Sequence, residues 1–287
     1  MTYTVLLLLI LSAVGHASWN AISRRVSNRD AFFTLITIIA IAIYIPLAVY
    51  LGCKYHIPLA ALGWVLGSAI FQVIYFITLA KAYRVAPLIS VYPVARGTSP
   101  LLASLFSIVI SQIPVNALAC SGIALIVCGI FFINQTGFNI INLRATFFNP
   151  GVIWAFLTGA CTAMYTIFDA QGAQVVSGIL FAYMVYIGTA IGKIIVDRKL
   201  TPGVSYIALF KQFPTASIIG GFLIFGVNAT VLYCLQTTPV AYVSAVREVG
   251  IVFTALIGII WFKEKLGIVK WGSIFAILTG IILIKIG

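Results

Sequence analysis

Apolar residues fall in long unbroken runs along this chain, each close to the roughly 20 residues an α-helix needs to cross bilayer hydrocarbon. Ten runs carry few or no charges: Thr2 to Ile22, Ala31 to Gly52, Leu59 to Ala80, Pro87 to Ile110, Ala117 to Ile133, Pro150 to Phe168, Gly178 to Val196, Phe213 to Leu235, Val240 to Phe262 and Leu266 to Ile286. They are continuously apolar and do not alternate, so they predict helices and not the strands of a membrane barrel. The expected fold is an all-α integral membrane protein with ten transmembrane helices.

Composition agrees. Of 287 residues, 62% are hydrophobic and 8% are charged, whereas soluble domains carry about 25% charge. So few polar residues cannot cover a water-facing surface, which excludes a cytosolic enzyme, a nucleic-acid module and a disordered chain. The net charge of +12 comes from 17 Lys and Arg against 5 Asp and Glu. Most of the basic residues fall in the odd-numbered connections: Arg24, Arg25 and Arg29; Lys81 and Arg84; Arg144; Lys193, Arg198, Lys199 and Lys211; Lys263, Lys265 and Lys270. The termini and even-numbered connections hold only Lys54 and Lys285. The positive-inside rule then puts both termini outside the cytoplasm, in a multi-pass protein of a bacterial inner membrane. Cys53, Cys120, Cys128, Cys161 and Cys234 form no C-x-x-C pair and read as small buried residues, neither a disulfide framework nor a metal site. The first run lacks a basic leader, so it reads as a span and not as a signal peptide.

Ten spans divide into two fives, and an odd number per half forces the halves to insert with opposite orientation. Placing Pro87 on Pro239 brings Val91 to Val243, Val94 to Val246 and Ala103 to Ala255, and the following spans end with Gly129 opposite Gly280. The first span, L-S-A-V-G-H-A-S-W-N, lies on the sixth, L-T-G-A-C-T-A-M-Y-T, with Trp19 opposite Tyr165. Residues 1–138 and 147–287 are therefore expected to be two inverted repeats. Secondary transporters are commonly built this way, with the substrate site near the midplane between repeats.

Several motifs carry a resemblance: H-A-S-W-N in the opening span, Y-T-x-x-D in the sixth, and W-F-K-E-K-L followed by a glycine-spaced last span. Over its whole length the chain resembles the EamA-type family of the drug/metabolite transporter superfamily. It departs from the pattern in the first repeat, where Gln112 stands at the place of Glu264. The resemblance implies export or exchange of small metabolites, often amino acids or related amphiphiles, without ATP.

A charge at the bilayer centre costs about 2.5–3.5 kcal/mol on insertion scales and needs a reason. Arg96 stands nine residues after Pro87 and Glu248 nine after Pro239, so they are repeat mates of opposite sign. Two readings fit. One is a midplane substrate site, with the Arg96 fork holding a carboxylate or phosphate and Glu248 holding an ammonium group or cycling a proton. The other is an ion pair that locks the repeats together. Arg247, one step around the helix from Glu248, belongs to a second face or is the partner of Glu248. Tyr92 and Ser244, four residues before Arg96 and Glu248, share their faces on continuous helices. Pro93 and Pro100 bracket Arg96 and either bend a cavity-lining helix or kink it for packing. His16 and Asn20 share a face with Trp19 beside it, and Trp19 and Tyr165 line the cavity or anchor at the interface. Asp169 closes the sixth span, at water's edge. Gln72 and Asn228 read as interhelical glue, and Gly63, Gly67, Gly188 and Gly192 as close-packing positions.

These features weigh toward a secondary transporter, exporter or exchanger, of small amphipathic metabolites such as amino acids, working by alternating access around Arg96 and Glu248. The candidate binding set is Arg96, Glu248, Arg247, Tyr92, Ser244, His16, Trp19, Asn20 and Tyr165, with Glu248 the proton-coupling candidate. An intramembrane enzyme would need a motif such as H-E-x-x-H, G-x-S-x-G or a P-loop, and none is present. A channel would need charge rings or a filter loop. No catalytic residue, metal or cofactor is expected. The expected partners are a small-molecule substrate and the lipid bilayer, not nucleic acid, with the chain a monomer or homodimer.

Overall fold

The computed structural model describes residues 1–23, 26, 28–86, 88–111, 116–133, 150–200, 202–253, 256, 260 and 267–286. Among these residues the elements are all helices: α1 (Tyr3–Ser23), α2 (Arg29–Lys54), α3 (Leu59–Val85), α4 (Leu88–Ser111), α5 (Ala117–Ile133), α6 (Pro150–Val175), α7 (Gly178–Leu200), α8 (Tyr206–Gln212), α9 (Pro214–Leu235), α10 (Val240–Arg247) and α11 (Ile268–Ile286). Lipid offers no partner for a bare N–H or C=O, and a helix satisfies its own. The ends are closed by local chemistry. Asn28 accepts from the Ala31 N–H at 3.2 Å to start α2, Asn116 accepts from Ala119 at 2.8 Å to start α5, and Ser205 accepts from Ala208 at 3.2 Å to start α8. Between α7 and α8, Pro202-Gly203 turns the chain, with Gly203 at φ 89° where a side chain would be strained.

Helices α1, α2, α3, α6, α7, α9 and α11 are long and apolar enough to span a membrane, and α5 is a shorter apolar helix. The expectation of ten uninterrupted spans is thus met only in part. α4 runs unbroken through Pro93 and Pro100 with Arg96 inside it. The ninth run departs further: α10 stops at Arg247, and Glu248 and Val249 form a turn. There the bonding tightens to i→i+3, with the N–H groups of Glu248, Val249, Ile251 and Val252 donating to the carbonyls of Ala245, Val246, Glu248 and Val249. Gln112, Arg144, Glu264 and the rest of W-F-K-E-K-L lie outside the described residues, as do Arg24, Arg25 and Pro87.

The helices pack most extensively as α3 on α6 and α5 on α11, with α4 also on α6 and α1 on α9. α10 sits against α4 and α1. Small residues set the closest approaches. A Cβ on Gly122 would stand 2.5 Å from the Gly280 carbonyl oxygen, one on Gly280 2.5 Å from that of Gly122, and one on Gly129 2.8 Å from that of Ser273. Gly188 and Gly192 of α7 lie against Ala69 and Val73 of α3, and Gly67 lies under the Phe168 ring, whereas Gly63 faces open space. Of the cysteines, Cys161 and Cys234 are buried, while Cys53, Cys120 and Cys128 are exposed on the outer surface, contrary to a buried reading of all five. That surface also carries Leu62, Leu66, Ile191, Ile195, Phe222, Phe275 and Ile282, as a lipid-facing exterior requires.

Candidate functional site

Two turns into α4, the Arg96 side chain reaches across to α10 and α1. Its Nη1 stands 3.6 Å from Glu248 Oε1, and its Nη2 stands 3.3 Å from His16 Nε2. The Arg96 side chain is 32% exposed and that of Glu248 only 6%. The second carboxylate oxygen of Glu248, Oε2, is buried without a hydrogen-bond partner. An orphaned buried oxygen is costly and calls for a donor. Arg247 points into the same place. Ser12, Ala13, His16, Arg96, Val227 and Arg247 line a narrow pocket of about 10 Å³, room for about one water molecule. Among the described residues the Arg247 guanidinium forms no hydrogen bond or ion pair, although it lies within electrostatic reach of His16, Asp169 and Glu248. The expected Arg96–Glu248 pairing is present, and a hollow lies beside it.

The remaining candidates disperse. Asn20 turns back on its own helix, donating to the His16 carbonyl at 2.8 Å. Trp19 is 8% exposed and meets His16 edge-on at 4.9 Å, so it is not an interfacial anchor; its indole N–H is unpartnered. An aromatic arc continues from it through Phe33 (5.5 Å), Phe76 (6.2 Å) and Tyr75 (5.1 Å) to Tyr165 (6.2 Å). Ser244 is buried one turn before Glu248 and, like Glu248, is not among the residues that line the pocket. The Tyr92 side chain lies outside the described residues.

Two buried carboxylates correct the sequence reading. Asp169 is not at water's edge, because α6 continues to Val175; it is 2% exposed and accepts from Ser68 Oγ at 2.5 Å. Gln72 donates to Ser68 Oγ at 3.4 Å and accepts from Thr189 at 3.2 Å, so it does join helices. Asn228 leaves its buried Nδ2 unpartnered. Lys193 is not in a connection but inside α7, 3% exposed, with Nζ 4.3 Å from the Phe76 ring centre and 4.0 Å from Asp197 Oδ1. Asp197 also accepts from Thr34 at 2.5 Å and from Tyr206 at 2.9 Å, tying α2, α7 and α8 together. Burial, and then the Asp197 carboxylate, push the Tyr206 hydroxyl up to about 12. The sequence carried one signal of this cluster, the four-residue spacing of Lys193 and Asp197 at the end of an apolar run.

A bundle of long apolar helices around a buried ionic pocket defines a multi-pass integral membrane protein. Residues 149–286 match the model of the EamA-like transporter family, of the drug/metabolite transporter superfamily, the family that the sequence motifs resemble. No curated protein matches the chain. Among 29 matching solved chains is one described only as "Crystal structure of protein", with a TM-score of 0.71 over 99% of this chain and 96% of that one. At 15% identity the likeness is one of fold alone.

Proposed function

We propose that the protein is a secondary transporter of small amphipathic metabolites, amino acids among them. In this reading it works as an exporter or exchanger, by alternating access around Arg96 and Glu248. The observation that carries this reading is the Arg96–Glu248 pair itself, joining α4 to the end of α10 beside the pocket. A buried carboxylate with an unpartnered oxygen is poor architecture for a lock but suits a site that receives a donor.

The inverted-repeat reading is supported by the way α5 meets α11. With Gly129 placed on Gly280, Gly122 falls on Ser273 and Ile126 on Ile277; the contacts of Gly280 with Gly122 and Ile126 then map onto those of Gly129 with Ser273 and Ile277. The contacts of α3 with α6 and of α9 with α1 exchange under the same pairing of halves. The sequence holds no ATP motif, so transport is downhill, exchange-driven or proton-coupled.

Proteoliposomes test the reading. Arg96→Ala is expected to cut uptake of carboxylated substrates at least tenfold while the protein still folds. Wild-type flux in that variant would leave the pair a structural lock.

A further inference from the structure

We propose that the pocket takes an oxyanion between Arg96 and Arg247, and that a proton joins Glu248 as the anion binds. The proposal rests on the transporter reading, whose substrate class and coupling it names.

The lining supplies two guanidinium groups and one imidazole, and no carboxylate belongs to it. Arg247 has its donors uncommitted among the described residues, and Arg96 meets Glu248 at 3.6 Å, longer than a well-made charged hydrogen bond. Paired forks of this kind match a carboxylate, phosphate or sulfate head group. The pocket is narrow, so the anion enters by replacing Glu248 at the Arg96 guanidinium, not by sitting beside it. Glu248 then loses the counter-charge of Arg96. A buried carboxylate without a partner takes up a proton from the aqueous side and becomes a neutral acid. For a monoanion such as acetate the balance closes: one anion and one proton enter, and the summed charge of Arg96, Arg247, Glu248 and the ligand is +1 before and after, whereas a dianion such as sulfate brings the sum to zero. Substrate anion and proton therefore bind together.

The other groups around Glu248 do not offer this exchange. His16 from α1 holds Arg96 from the opposite side. Asp169 from α6 is bound by Ser68 and reaches the site only through the field of Arg247. α5 and α9 carry no charged residue, and α11 has only Lys270 and Lys285, at its two ends.

The test uses the purified full chain in lipid nanodiscs, with thermal stability read against acetate, sulfate and ethylammonium between pH 6 and 8. Acetate and sulfate keep their charge across that range. The expected result is stabilisation by both anions and not by ethylammonium, with apparent affinity rising about tenfold for each unit of falling pH, the slope for one co-bound proton. Arg247→Gln weakens anion binding at least tenfold. Glu248→Gln still binds but loses the pH slope, whereas His16→Gln keeps the slope. No stabilisation by either anion at 100 mM, preferential stabilisation by ethylammonium, a flat pH profile in the wild type, or a slope that follows His16 would each overturn the proposal. Should Glu248→Gln not fold, the wild-type profile and the His16 variant still decide. Flux of a neutral or cationic solute without anion binding would sink this inference and leave the transporter reading standing; anion binding without flux of any solute would do the reverse.

Discussion

A single lysine shows what burial costs in this bundle. Lys193 is held in the apolar body of α7 by an aromatic face and by Asp197, which also takes the hydroxyls of Thr34 and Tyr206. Removing one partner of such a pair leaves a buried charge, at about 3–5 kcal/mol. Asp197→Asn is therefore expected to lower stability by that order, and Lys193→Met in the same chain to restore most of it, measured by denaturation in detergent. Tyr206→Phe removes one half-exposed hydrogen bond, worth about 1 kcal/mol. The hydroxyl's raised pKa sets a sign. Its contribution is intact below its ordinary value of 10 and is lost as pH rises through about 12. Between those values the wild type should lose the advantage over Tyr206→Phe that it holds at neutral pH.

The two charged pairs were not equally legible. Arg96 and Glu248 stand at matching distances from two prolines, so the alignment of halves alone pairs them. Lys193 and Asp197 share one helix near the end of a run, where a charge is most simply read as the edge of the membrane. Only the packing of Phe76 and Thr34 around them shows otherwise.

Helices are written into this chain by length and composition, but their breaks are not. The run from Val240 to Phe262 reads as one span, yet the backbone tightens at Glu248 and Val249, where the i→i+3 bonds turn the carboxylate toward α4. Such a turn inside a helical path is a natural hinge. Helix contacts, by contrast, are legible in glycines only when the facing residue is known. Gly280 and Gly63 look alike in sequence; one meets a backbone carbonyl and the other meets nothing within 4 Å. Gly280→Leu should separate α5 from α11 and cost about 1–3 kcal/mol, as overpacking does. Gly63→Leu should leave the thermal midpoint unchanged, and equal losses in the two variants would mean that α5 and α11 do not meet as described.

Across the whole molecule, the pocket and the aromatic arc lie at different levels of one helix. Ser12, Ala13 and His16 line the pocket, while Trp19 begins the arc that runs through Phe33 and Phe76 to Tyr165. Seven residues separate Ser12 from Trp19, a rise of about 10 Å. We expect these rings to close the side toward the end of α1, so that the pocket is reached from the side where α1 starts. The orientation expected from the basic connections makes that side the outer one. In a chain freed of its five native cysteines, Ser12→Cys should react with a membrane-impermeant anionic thiol reagent added outside, and sulfate should slow the reaction. Phe33→Cys, within the arc, should not react from that side. Labelling of Phe33→Cys from outside with Ser12→Cys silent would invert the orientation. Equal labelling of both would mean that the arc does not close the path. Since Arg96 and Arg247 face the same hollow, protection by sulfate at Ser12 also reports whether the anion and the open side belong to one site.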